Sequence, residues 1–178
     1  RSNADILINE ELRKEFIGIY SEQGKEEARR WINSNYGPYS KEELDHRMTR
    51  YGLNPCGEIL GNDFHCNLAE VHLNQINPND FEEQKKAFKA AALSVACLLN
   101  HEFEVERYRK SREFDPIVGV SFTGLFDFLV HAFGTPWLKW WEEGRPDTEE
   151  GIHFKKQEAK FLDSWRMIVK ETVWEYCD

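Results

Sequence analysis

Gly52-Leu53-Asn54-Pro55-Cys56-Gly57-Glu58-Ile59, followed by Phe64-His65-Cys66-Asn67-Leu68-Ala69-Glu70, is the stretch on which the reading of this chain turns. Pro55 fixes its own φ and removes a backbone donor, and Gly57 permits conformations that other residues avoid. The segment therefore reads as a tight loop presenting Cys56 and Glu58, not as the interior of a helix or strand. A thiol, a carboxylate and the Asn54 amide fall together there, and a second thiol, Cys66, follows.

Outward from this loop the chain is mostly helical. Upstream, Leu12, Phe16 and Ile19 or Tyr20 recur at helical spacing. Residues 9–33 read as two helices broken at Gly24. Asn33 to Ser40 reads as a turn. Ser40 with Glu43 fits a capping box that opens a third helix to about Arg50. Downstream, Ile59-Leu60 is a short strand, and the partial alternation of Phe64 to Ile76 allows another. Asn77 to Asp80 is a turn, with Asn79 and Glu82 as the cap of a helix over 80–100. Phe81, Phe88, Ala92, Val95 and Leu99 share its apolar face, and Cys97 reads as a small core residue. Arg107, Arg109, Lys110 and Arg112 are either a solvated surface or a phosphate or partner contact. Ile117 to Phe122 is a β-branched strand that turns at Thr123-Gly124 into a helix. Gly134-Thr135-Pro136 interrupts the chain before Trp137, Trp140 and Trp141. After a loop at Gly144 to Asp147, a last helix over 148–176 carries Phe154, Phe161, Trp165, Ile168, Thr172 and Tyr176 as a core stripe. About seven helices and two or three short strands cannot close a barrel alone. If the strands are parallel, they need neighbours from outside this chain.

The 178 residues suffice for one domain, and 40% hydrophobic and 13% aromatic content exclude general disorder. A net charge of -9 argues against broad nucleic-acid or anionic-membrane binding. No apolar run reaches the ~18–20 residues of a membrane span. Four cysteines (56, 66, 97 and 177) without a secretory signal fit a reducing, cytoplasmic setting. Arg1-Ser2-Asn3-Ala4 reads as the scar of an expression tag. Residues 5–178 read as a single fragment of a longer protein.

Three chemistries compete at the loop. Cys56, His65, Cys66 and His72 are an acceptable zinc set by donor type, though the spacing is poor, which would make this a helical zinc-binding or interaction module. A Pro-Gly turn with incidental cysteines is a second reading. The third is radical or redox thiol chemistry: a weak S–H bond yields a hydrogen atom, a carboxylate serves as base, and a second cysteine supplies electrons.

The quoted stretch closely resembles the catalytic finger loop of ribonucleotide reductases, in the form found in the class II, adenosylcobalamin-dependent enzymes. Ser111-Arg112-Glu113-Phe114-Asp115 and Ile117-Val118-Gly119-Val120-Ser121-Phe122-Thr123-Gly124-Leu125 also resemble that family, especially its monomeric members. The resemblance covers about residues 51–134. It implies an α/β fold, a ten-stranded barrel with the finger loop (here about 52–76) at its centre. It implies that Cys56 is the thiyl-radical cysteine, which yields its hydrogen when the cobalt–carbon bond of adenosylcobalamin breaks and then takes the 3′ hydrogen of the ribose. It further implies that Glu58 is the base on the 3′ hydroxyl, that Asn54 holds the substrate hydroxyls, and that Cys66 is one of a redox pair. The implied partners are a ribonucleotide substrate, a dithiol reductant such as thioredoxin, and the remainder of the reductase chain. No resident metal and no cobalamin-binding residue is identified in this chain. No cysteine precedes Cys56 to pair with Cys66, so the chain alone is expected to be inactive. Without its barrel, the 52–76 segment is expected to lose packing partners and to rearrange, and exposed apolar surface is expected to favour self-association.

Overall fold

The computed structural model describes residues 9–48, 52–53 and 60–178. They form two compact units. One comprises the chain up to Phe64 with Val105–Asp115, and the other His65–Glu104 with Pro116–Asp178.

In the first unit, Asn9 caps α1 (Glu10–Gln23) by accepting from the Glu11 and Leu12 amides. Gly24, at φ 86°, then separates α1 from α2 (Lys25–Tyr36), where the sequence placed the break. Helix α2 runs past Asn33, which the composition had assigned to a turn. Asn33 stays helical while its side-chain oxygen accepts from the Tyr39 amide at 2.6 Å, so it organises the following turn from within the helix. Ser40 Oγ accepts from the Glu43 amide at 3.0 Å and starts α3 (Lys41–Arg47), which ends earlier than the expected Arg50. Ile32 and Leu44 form a small core with Phe16, Trp31, Tyr36, Tyr39 and Met48 packed against it. Two further strands, β1 (Gly52–Leu53) and β2 (Leu60–Gly61), pair antiparallel, Gly52 opposite Gly61 and Leu53 opposite Leu60. Helix α5 (Glu106–Phe114) is tied to the residue after β2 by Ser111, whose buried hydroxyl donates to the Asn62 carbonyl at 2.5 Å.

The second unit is built on β3 (Asn67–His72) and β4 (Val118–Thr123). They are parallel, in register from Asn67 beside Val118 to His72 beside Thr123. Helix α4 (Phe81–Cys97) packs on both strands and on the last helix, α7 (Glu149–Cys177). Between β4 and α7 lies α6 (Leu125–Glu142), which leaves helical geometry at Gly134 (φ 70°), two residues before Pro136. The sequence placed this interruption correctly, and its cause is a left-handed glycine next to a proline. Gly124, at φ 72°, starts α6 where a Cβ would meet the Asn74 amide nitrogen at 2.9 Å, so a side chain is excluded twice over.

Trp165 is the centre of this unit. Its ring stacks on Phe88 (5.0 Å, 14°) and meets Phe122 and Phe128 edge-on at 5.6 and 5.2 Å. Its indole N–H donates to Gln84 Oε1 at 3.0 Å, and Gln84 Nε2 donates to the Asn77 and Pro78 carbonyls at 3.2 and 3.0 Å. The Trp and Phe stripe of α7 is core, as its spacing implied. The stripe of α4 differs from the expectation. Its buried members are Gln84, Phe88, Ala92, Val95 and Ala96, while Phe81 is 49% exposed at the first residue of the helix. Cys97 is exposed, not core, because it follows Ala96 around the helix and leaves the covered stripe. The cap is Asp80, not Asn79: Asp80 Oδ1 accepts from the Glu83 amide at 3.0 Å, and Glu83 Oε2 accepts from the Asn77 amide at 2.9 Å. Among the described residues no helix is long and apolar enough to cross a membrane.

The packing of this unit sets three stability outcomes. Gln84→Leu keeps the volume but strands the Trp165 N–H and two carbonyls, and should cost about 1–3 kcal/mol in urea unfolding. Trp165→Phe, which removes the donor but keeps a ring, should cost less when added to Gln84→Leu than it does alone, a coupling measurable in a double-mutant cycle. Gly151→Ala should also destabilise, because a Cβ there would lie 2.3 Å from both the Pro146 carbonyl and Trp140 Nε1. A cost of about 1–3 kcal/mol is expected from such crowding.

Candidate functional site

Asn54, Cys56 and Glu58, the residues expected to carry the chemistry, lie outside the described residues. What the structure supplies is the frame on either side. Leu53 pairs with Leu60, so the chain that leaves β1 with these residues returns as its antiparallel partner β2. Within β2, Gly61 sits against Phe64, where a Cβ would fall 2.4 Å from the ring. A side chain at position 61 would displace Phe64.

Cys66 is a half-buried cysteine immediately before β3. Its neighbours are fixed. His65 stacks on Phe103 (4.1 Å, 28°), and His101 meets the same ring edge-on at 5.0 Å. Asn67 opens the ladder beside Val118, and its side chain donates to the Ile117 carbonyl at 3.4 Å. Of the 52–76 segment, residues 67–72 therefore form a paired strand with Val71 buried, which differs from the expected loss of packing. Its ladder partner is β4.

The four-residue zinc set is not assembled. Strand β3 separates Cys66 from His72 by roughly 20 Å at about 3.3 Å per residue. His72 Nδ1 instead lies 2.9 Å from Thr123 Oγ1. Among the described residues no group of three or more His, Cys, Asp or Glu side chains could hold a metal ion.

The basic run on α5 resolves toward the solvated reading. Lys110 reaches Glu42 and Glu106, and these carboxylates, Glu42 first, raise its pKa. Arg107 donates to the Tyr108 hydroxyl at 2.8 Å, and its pKa is raised mainly by that bond, with Asp63 adding to it. Lys110 is already matched by carboxylates from its own unit. At the far end of α4, Asn100 Nδ2 donates to the Tyr176 hydroxyl at 2.5 Å. The Tyr176 pKa is raised, first by its hydrogen bond with Cys97 and then by burial. Cys177 is exposed beside it.

Two features escaped the sequence reading. A short strand was expected at Ile59-Leu60, where β2 begins, but β1 and its pairing with β2 were missed because a two-residue strand has no periodicity to detect. The composition of the uncovered face of β3–β4 was missed because it depends on a register between strands far apart in the chain. The alternation Leu68, Glu70, His72 was the available signal.

The chain is 37% identical over 84 residues to an adenosylcobalamin-dependent ribonucleoside-triphosphate reductase of Lactobacillus gasseri. It is 33% identical over 110 residues to a protein of the same name from Lactobacillus acidophilus. These alignments take in 47% and 59% of this chain but only 11% and 14% of the two relatives. No family model matches the chain, and no solved structure matches it. Over about half its length the chain is thus related to adenosylcobalamin-dependent ribonucleoside-triphosphate reductases, and it spans only a small part of their length.

Proposed function

We propose that this chain is the finger-loop segment of the catalytic chain of an adenosylcobalamin-dependent ribonucleotide reductase. What supports the reading is the similarity to two adenosylcobalamin-dependent reductases, together with the β1–β2 pair, whose strands lie on either side of the motif in the chain. The similarity to two ribonucleoside-triphosphate reductases supports a triphosphate substrate.

In this reading the Cys56 thiol gives up its hydrogen atom, and the resulting sulfur radical takes the 3′ hydrogen of the ribose. Glu58 accepts the 3′ hydroxyl proton, which lets the 2′ hydroxyl leave as water. Asn54 orients the two hydroxyls by hydrogen bonds. Cys66 and a partner thiol from the rest of the reductase supply two electrons and two protons and end as a disulfide. The balance is ribonucleotide plus dithiol giving deoxyribonucleotide, disulfide and water. The external dithiol then restores the pair. Adenosylcobalamin would supply the initiating radical.

The test uses the complete reductase with adenosylcobalamin and a dithiol. Cys56→Ser should abolish deoxyribonucleotide formation, and full turnover by that variant would remove the role given to Cys56. Glu58→Gln should slow the reaction by about 10²–10⁴-fold. Cys66→Ser should form no disulfide during a single turnover, as read by mass spectrometry of the quenched enzyme. A normal disulfide in that variant would move the redox role to another cysteine.

A further inference from the structure

A cavity of about 420 Å³ lies between the first turn of α4 and the middle of α7, within the size range of small-molecule sites. None of its lining residues belongs to the 52–76 segment, so it stands apart from the thiol chemistry above. One aromatic wall is fixed by the core. Phe161 stacks on Trp165 (5.7 Å, 29°) and meets Phe128 edge-on at 5.0 Å. Beside it, Gln84 is held by the Trp165 indole and two carbonyls. The other aromatic wall is the exposed Phe81, whose ring touches no other ring among the described residues. Three polar residues complete the lining: Gln157, Lys160 and Ser164. The half-buried Gln157 amide and the Lys160 ammonium have no hydrogen-bond or ion-pair partner among the described residues. Asp163, one turn on from Lys160, is taken by Arg166 at 3.3 Å. Ser164 Oγ donates to the Phe161 carbonyl at 2.7 Å and keeps its lone pairs for accepting. Among the described residues no carboxylate lines the cavity, so its charge is an unmatched cation.

We infer that this cavity is a binding site for a planar aromatic carboxylate, with the ring between Phe81 and Phe161 and the carboxylate on Lys160 and the Gln157 amide. Two aromatic walls that do not touch each other leave room for a third ring, and aromatic pairs gain beyond the area they bury. A carboxylate accepts from an ammonium and an amide N–H together, and such charge-assisted bonds are roughly twice as strong as neutral ones. One lysine balances the single charge of a carboxylate, whereas a phosphate monoester carries about -1.5 to -2 and would stay partly unmatched. A cationic ligand would be repelled. The volume admits one or two fused rings, and the fixed Phe161 side is formed before any ligand arrives.

The experiment uses indole-3-carboxylate as probe and indole-3-carboxamide as its neutral counterpart of nearly the same shape. In the 178-residue chain, indole-3-carboxylate should shift the backbone amide resonances of Phe81 and Phe161 and the side-chain amide of Gln157 saturably. Indole-3-carboxamide should bind about tenfold more weakly, the scale of one charge-assisted hydrogen bond. Lys160→Met, which keeps the apolar stem, should lower the affinity for the carboxylate to that of the carboxamide and leave the carboxamide unchanged. Phe81→Ala, at an exposed position, should weaken both about tenfold, the scale of lost apolar contact in a pocket. Equal affinity for the two probes, a loss in Lys160→Met shared by both, or no saturable shift below about 1 mM overturns the site. Shifts at the same residues on concentrating the unliganded chain would give the cavity to a second copy. Binding by this chain that the complete reductase lacks would give it to another segment of that enzyme. Either result overturns the inference.

Discussion

The parallel register of β3 and β4 is the constraint on which the larger unit depends. Two parallel strands cannot be joined by a tight turn, so the chain must leave His72 and come back at Val118 by a long crossover. That crossover brings α4 across one face of the pair, and α7 closes over α4. With both helices on the same side, apolar burial concentrates there. Phe88, Phe122, Phe128 and Trp165 meet in one cluster. The opposite face keeps its polar row because nothing in the unit demands that it be apolar.

Each large indole of the core ends on an acceptor, and those acceptors make the packing specific. Trp165 donates to Gln84, Trp137 to Glu158 at 2.7 Å, and Trp140 to the Pro146 carbonyl at 2.8 Å. Glu158 also receives Arg145, whose guanidinium lies 5.0 Å over the Trp140 ring. A buried N–H left without a partner costs more than an ordinary hydrogen bond gains. The loop Gly144 to Asp147 is thus fixed from the core outward, through Arg145 and Pro146, as well as by its own turn, in which the Gly144 and Arg145 amides donate to the Trp141 and Trp140 carbonyls.

Local rules were legible in the sequence and non-local ones were not. The break at Gly24, the cap at Ser40, the interruption at Gly134 and the Trp stripe of α7 each depend on neighbouring residues, and each is found where expected. Gln84 was unreadable as core, because its burial depends on a tryptophan 81 positions later. Cys97 was misread for a related reason: apolar composition indicated a buried stripe, but the sheet and α7 decide which side of α4 is covered. The choice between Asn79 and Asp80 as cap turned on one residue, and Glu83, reaching back to Asn77, settles it. At the candidate site, the association of thiol, carboxylate and amide was visible as a motif. The zinc alternative could not be dismissed from composition, since an extended strand between Cys66 and His72 is what separates those donors.

The two cysteines of the proposed reaction need different degrees of support. Cys66 adjoins a six-residue ladder beneath a packed core. A redox thiol must repeatedly meet the same partner sulfur within the narrow geometry of a disulfide, and a rigid strand suits that demand. On the proposed reading, hydrogen transfer at Cys56 demands still closer placement against a substrate, with productive geometry tolerating errors of only about 0.5 Å, so the motif specifies the chemistry while its rate depends on the enclosing enzyme.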